Sequence, residues 1–141
     1  MGKRVLLCDD EIHILRAAEF KLKKAGYDVH VANDGQEAWE AIQQQKPDVL
    51  ITDCQMPRLD GLGLVQKVRA DSQLADLPIF MLTAKGFELS HDDLAAKWDV
   101  RAVIAKPFSP RELLRQVDAA LGETRDTQKD ERSRGSDAAS D

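Results

Sequence analysis

The sequence predicts an α/β domain in which a parallel sheet carries helices on both faces. Short aliphatic runs alternate five times with segments of helical period between residues 3 and 122. The links between them are short and marked by Gly, Pro and Asp. Right-handed crossovers between parallel strands then put the helices on both sides of the sheet.

Each element follows from its own residues. Lys3 and Arg4 lead into Val5, Leu6, Leu7 and Cys8, a strand that ends on Asp9, Asp10 and Glu11. Ile12, Leu15, Phe20 and Leu22 recur near helical spacing, with Arg16, Glu19, Lys23 and Lys24 on the polar side; Asp10 is placed to cap this helix and Gly26 to end it. Tyr27, Val29 and Val31 alternate with Asp28 and His30, the pattern of a strand with one solvated face. Asn33, Asp34 and Gly35 form a turn into a helix lined by Ala38, Trp39 and Ile42, which stops before Pro47. Val49, Leu50, Ile51, Thr52 and Asp53 make a short buried strand, closed by Pro57 and the Asp60-Gly61 turn pair.

A helix from about Leu62 to Ala70 carries Leu64, Val65 and Val68 on its apolar side. Pro78 opens the strand Ile79, Phe80, Met81 and Leu82, which ends on Thr83. Asp92 to Lys97 reads as a helix that sends Leu94, Ala95 and Trp98 towards the core. Val100 to Ala105 is the fifth strand, closed by Lys106 and Pro107. Ser109 is an N-cap with Pro110 at the first helical position, and Leu113, Leu114, Val117 and Leu121 form the last apolar stripe, ended by Gly122. Trp39 and Trp98 fit core or boundary positions. Residues 1–122 thus read as one domain. From Glu123 to Asp141 no aliphatic residue exceeds alanine, both charges mix with Ser and Gly, and the tail is expected to be disordered.

Composition narrows the function. The 141 residues are 43% hydrophobic and 32% charged, ordinary for a globular protein. A net charge of −5 argues against nucleic-acid binding through bulk electrostatics. No apolar run approaches the roughly 20 residues of a membrane span, and the start MGKRVLLCDDE is neither a secretory signal nor a myristoylation site. The chain reads as cytoplasmic. Cys8 and Cys54 match no zinc or redox motif; they read as reduced thiols at strand ends, with a redox contact between them as the alternative.

The strand ends carry the chemistry. In a parallel sheet Asp9 and Asp10 from the first strand, Asp53 from the third, Thr83 from the fourth and Lys106 from the fifth emerge at one carboxyl edge, where ligands bind in open α/β sheets. Two like unit charges about 4 Å apart cost about 4 kcal/mol at an effective dielectric near 20. Two cations relieve that repulsion: Lys106 and a hard divalent ion. Mg²⁺ suits the site, because it binds through one or two carboxylates, keeps waters and accepts phosphate oxygens. A carboxylate beside it can attack phosphorus to give an acyl phosphate, with Lys106 and the Thr83 hydroxyl on the phosphoryl oxygens.

The segments LLCDDE, DVLITDCQMPRLDG, IFMLTA and AKPF resemble, in order and spacing, those of the response-regulator receiver family of two-component signalling, over residues 3 to 122. The resemblance implies a flavodoxin-like (βα)5 sheet in strand order 2-1-3-4-5. It makes Asp53 the phosphoacceptor, fed by a phosphohistidine on a sensor histidine kinase or phosphotransfer protein. Asp10, Asp53 and the backbone carbonyl of Gln55 would bind the metal directly, and Asp9 through water. Thr83 would be the switch hydroxyl, Lys106 the phosphate-binding lysine, and Lys106-Pro107 a cis peptide. Gln55 and Lys85 occupy positions that border the approach of water and tune the phosphoryl lifetime, or are simply solvated rims.

Three departures from the family pattern stand out. Val103 takes the place of the usual Tyr or Phe three residues before the lysine, which argues against aromatic-rotamer switching but leaves the threonine movement. The stretch from Thr83 to Lys106 is about one residue longer than common, with an irregularity expected around Gly86 to Asp93. Asp99 stands where glycine is frequent and is expected in a left-handed conformation. All three fall on the face formed by the fourth helix, fifth strand and fifth helix, through which a downstream protein would be engaged.

The expected function is therefore a Mg²⁺-dependent phosphoacceptor that signals by changing shape and is not a turnover enzyme. Too few residues follow Gly122 for an output domain, so output would go through a partner protein, an onward phosphorelay or a domain outside this chain. A Mg²⁺-dependent aspartyl-phosphate phosphatase is the alternative from another class, but Gln55 stands where such enzymes carry a second acid, and there is no room for a cap. A receiver-like binding module that is never phosphorylated is the third reading, disfavoured because every acid is intact.

Overall fold

The computed structural model describes residues 3–56, 58–83 and 98–122. Its strands β1 (Arg4–Cys8), β2 (Asp28–Ala32), β3 (Val49–Asp53), β4 (Ile79–Thr83) and β5 (Ala102–Ala105) form one sheet in the order β2-β1-β3-β4-β5. Every neighbouring pair is parallel. The helices are α1 (Ile12–Lys24), α2 (Gly35–Gln44), α3 (Gly61–Ala70) and α4 (Pro110–Leu121), with a 3₁₀ turn over Ser72–Leu74. This is the doubly wound architecture expected, in the expected order. The helix predicted over 92–97, the irregularity around 86–93 and the tail from 123 lie outside the described residues.

Alternation along buried strands sorts the core into two layers. Val5, Leu7, Val49, Ile51, Phe80 and Leu82 point to one face and meet Leu15, Ala18 and Leu22 of α1 and Leu113 and Val117 of α4. Leu6, Cys8, Leu50, Ile79 and Met81 belong to the other and meet Ala38 and Ile42 of α2 and Leu64, Val65 and Val68 of α3. Each fully buried aliphatic side chain contributes about 1.5–3 kcal/mol relative to leaving it in water, so the central strands hold the edge that carries the acids.

Helix α1 corrects two expectations. Phe20 is 67% exposed, with the Lys24 ammonium 5.9 Å from its ring centre, and Ile12 is exposed too. Phe20 and Leu22 are two residues apart, about 200° around a helix, so they cannot share one face. The core takes the Leu15, Ala18, Leu22 stripe at i, i+3, i+7. Nor does Asp10 cap α1: the cap position is Glu11, whose side chain makes no capping bond. The Asp9 carboxylate instead accepts the Glu11 N–H at 2.9 Å. Gly26 ends the turn with φ +103°.

The other boundaries follow local chemistry. Asp34, Asp60 and Ser109 each accept backbone N–H groups in the first turns of α2, α3 and α4. The fifth strand is shorter than expected, since Val100 is buried but precedes the ladder. Asp99 is left-handed at φ 56°, and Lys106-Pro107 is cis.

Two features tie the loops to the sheet, and neither shows as a local pattern. Arg69 spends its whole guanidinium on main-chain carbonyls. Nε donates to Trp98 at 2.7 Å, Nη1 to Leu74 at 3.1 Å and Ala75 at 3.0 Å, and Nη2 to Leu77 at 2.7 Å and Asp99 at 3.0 Å. It thereby pins the approach to β5 against the α3–β4 connection. Gly61, at the start of α3, lies so close to Asp53 that a Cβ there would sit 2.0 Å from the Asp53 carbonyl oxygen.

Candidate functional site

Register brings the predicted residues together. Cys8 pairs with Thr52, so Asp9, the next residue, arrives beside Asp53. Asp53 pairs with Leu82, one residue before Thr83, and Thr83 pairs with Ala105, one before Lys106. The Lys106 N–H then donates to the Thr83 carbonyl at 2.7 Å, extending the ladder by one residue. Parallel pairing without a slip delivers all of these side chains to one end of the sheet.

At that end the Lys106 ammonium sits among three carboxylates. Its Nζ lies 2.5 Å from Glu11 Oε1, 2.9 Å from Asp9 Oδ2 and 3.3 Å from Asp53 Oδ1. Lys106 is only 8% exposed; Asp9, Asp53 and Thr83 are buried, while Asp10 is at the surface. Ligand oxygens of Asp9, Asp10 and Asp53 all lie within 4.8 Å of one another. The Asp9 Oδ2 atom is buried and within ion-pair distance of Lys106, yet among the described residues no donor meets it with hydrogen-bond geometry. A buried anionic oxygen left in that condition favours a further cation.

The charges respond accordingly. Burial pushes the Asp53 carboxyl up, the neighbouring Asp9 charge adds to it, and Lys106 only partly opposes, leaving Asp53 at about 6. For Lys106, burial alone would press the ammonium down. The hydrogen bond to Glu11 and the nearby negative charges of Asp9 and Asp53 outweigh that and hold it above the ordinary lysine value. A hard-oxygen donor set of three carboxylates, one with an orphaned buried oxygen, fits Mg²⁺.

The remaining predicted positions separate. Gln55 is exposed in the loop after β3, and Val103 is half-buried opposite Met81. Lys85 and Pro57 lie outside the described residues. Cys8 and Cys54 are buried free thiols. Burial pushes each up to about 12, which keeps them protonated and weakly nucleophilic. Cys8 Sγ rests 3.2 Å from Met56 Sδ and 3.3 Å from the Asp34 carbonyl. The loop after β3 is further held by the Arg58–Asp34 ion pair at 3.2 Å.

Sequence reasoning missed Glu11 as a site residue. It was visible as the third acid of Asp9-Asp10-Glu11, but its partner lies 95 residues away and no local spacing shows it.

Comparison with known proteins gives the same picture. The pattern of the response regulator receiver domain matches residues 5–118. The chain is 42% identical over 130 residues to the "Probable transcriptional regulator ycf27" of Guillardia theta, covering 86% of this chain and 46% of that protein. It spans about half the length of the curated relatives it matches. Among solved structures, the chemotaxis response regulator CheY4 of Vibrio cholerae superposes with a TM-score of 0.77 at 33% identity, over 86% of this chain and all of that one. The receiver domain of a Pseudomonas aeruginosa sensor histidine kinase, solved with a magnesium ion coordinated in its active site cleft, does so with a TM-score of 0.75 at 30% identity, over 87% and 100% of the two chains.

Proposed function

The chain belongs to the response regulator receiver domain family, and on that premise we propose that it accepts a phosphoryl group on Asp53 from a histidine kinase or phosphotransfer protein. The observation that carries this reading is the buried Asp53 in ion-pair contact with Lys106 beside Asp9. Asp10, Asp53 and the Gln55 carbonyl would hold Mg²⁺ directly and Asp9 through water; bound there, the ion supplies charge neutralisation for the transferring phosphoryl oxygens.

The protein's own groups do the rest. Asp53 presents an oxygen to phosphorus at the end of a rigid central strand. Lys106, kept charged by its acid neighbours, is positioned for a second phosphoryl oxygen. Thr83 offers a hydroxyl one strand over, and its movement would carry the signal into the surface around β5. With Val103 in place of an aromatic ring, that signal runs through threonine and backbone. On the family resemblance, Gln55 and Lys85 would border the approach of water and tune the phosphoryl lifetime. The chain thus catalyses its own phosphorylation and slow loss of the group, and its partners are a kinase upstream and a protein target downstream. A cytoplasmic location is part of the same proposal, on the family resemblance. No helix of the described residues is long and apolar enough to cross a membrane.

The test is intact mass after incubation with acetyl phosphate and Mg²⁺. One phosphoryl group is expected on the wild type and none on Asp53→Asn. Continuous release of phosphate from generic esters, or an unlabelled wild type, would overturn the reading.

A further inference from the structure

The Lys106 ammonium has three N–H donors and, among the described residues, three carboxylates around it, of which Glu11 makes the shortest contact. Glu11 occupies the cap position of α1 without capping it; its side chain crosses to the residue after β5 instead. Its backbone is fixed from the other side, since its N–H is held by Asp9. The three acids are not equivalent. Asp9 is fully buried and cannot leave Lys106 without stranding a charge. Asp53 is the residue that would take the phosphoryl group. The Glu11 side chain is 58% exposed, so water receives its carboxylate when it lets go.

We propose that Glu11 is a latch on Lys106: a positioning residue that occupies the ammonium in the resting site and must release it for phosphoryl transfer. The proposal rests on Asp53 being the phosphoacceptor. With acetyl phosphate as donor, an Asp53 carboxylate oxygen forms a bond to phosphorus while the bond from phosphorus to the acetyl oxygen breaks. Acetate leaves with the electron pair, and Lys106 keeps all its protons. One of its N–H groups turns to a phosphoryl oxygen, and Glu11 is the acid displaced. The latch slows uptake of the group and favours return to the resting site.

The experiment measures labelling rates of the full chain with acetyl phosphate at saturating Mg²⁺, for wild type, Glu11→Gln and Glu11→Asp. Aspartate keeps the charge but is one methylene too short to span to Lys106. Both variants are expected to label about three- to tenfold faster, as for loss of one partly exposed ion pair. The gain should vanish when Glu11→Asp is combined with Lys106→Met. Simple repulsion of the anionic donor by Glu11 predicts a different outcome: a gain for Glu11→Gln but Glu11→Asp at the wild-type rate. That outcome, or slower labelling in either variant, overturns the latch. A wild type that does not label overturns the phosphoacceptor reading itself, so the two failures are distinct. Melting temperatures of the variants report folding separately.

Discussion

Replacing Arg69 with alanine is the most direct way to weigh the contacts that hold the approach to β5. The guanidinium serves five carbonyls, of which those of Trp98, Leu74 and Leu77 are partly buried and those of Ala75 and Asp99 are exposed. The exposed pair gains water on truncation and costs little. The other three each lose a bond worth about 1–1.5 kcal/mol, a total of about 3–4.5 kcal/mol. For a domain of this size that lowers the melting temperature by roughly 12–18 °C. Urea titration followed by circular dichroism gives the free energy by linear extrapolation, and an unchanged slope would show that the unfolded state is unaffected. Arg69→Lys should recover less than half, because one ammonium cannot reach both the 74–77 carbonyls and those of 98 and 99 from a single point. A loss under about 1 kcal/mol for alanine, or full recovery by lysine, would refute the reasoning.

Gly61→Ala should destabilise the fold by about 1–3 kcal/mol and slow acetyl phosphate labelling, because its Cβ would meet the Asp53 carbonyl at 2.0 Å. Gly26→Ala should cost about 1 kcal/mol through its left-handed backbone alone and leave labelling unchanged; equal labelling rates for both would count against the Gly61 argument. In metal-free buffer, Asp53→Asn should melt above the wild type at pH 7.5. Asp53 is raised to about 6, so its contribution to stability is full below the unfolded aspartate value and is lost as pH rises through 6. The difference between the two proteins should therefore shrink as pH falls from 7 towards 4, and a constant difference would sink the assignment. Mg²⁺ at about a hundred times its dissociation constant should stabilise the wild type by about 2.7 kcal/mol. An equal gain in Asp53→Asn, read by calorimetry, would place the ion elsewhere.

Much of the site was legible because it is built from strand ends. Once β1, β3, β4 and β5 are recognised and taken as parallel, Asp9, Asp53, Thr83 and Lys106 must share an edge, with no further information needed. The helix cap at Ser109 was readable for a similar reason, since the acceptor and the N–H groups it meets are within three residues. The misreadings come where a residue had two local options. Asp10 is a good cap by type, but the helix begins after Glu11 because Asp9 already binds the Glu11 N–H. Phe20 is apolar enough for the core, but the sheet accepts only one stripe of α1, and Ala18 fills it with less bulk.

The order of strands and helices, the acids at the strand ends and the turn residues between them were determined by the sequence alone, because hydrophobic period and capping act over a few neighbouring residues. Tertiary structure decided which stripe of α1 is buried, that Arg69 reaches the carbonyls of Trp98 and Asp99, that Gly61 must clear the Asp53 carbonyl, and that Glu11 takes hold of Lys106. Each of those joins segments far apart in the chain. Their geometry exists only after the sheet has closed, and nothing in the local pattern encodes a contact made at that distance.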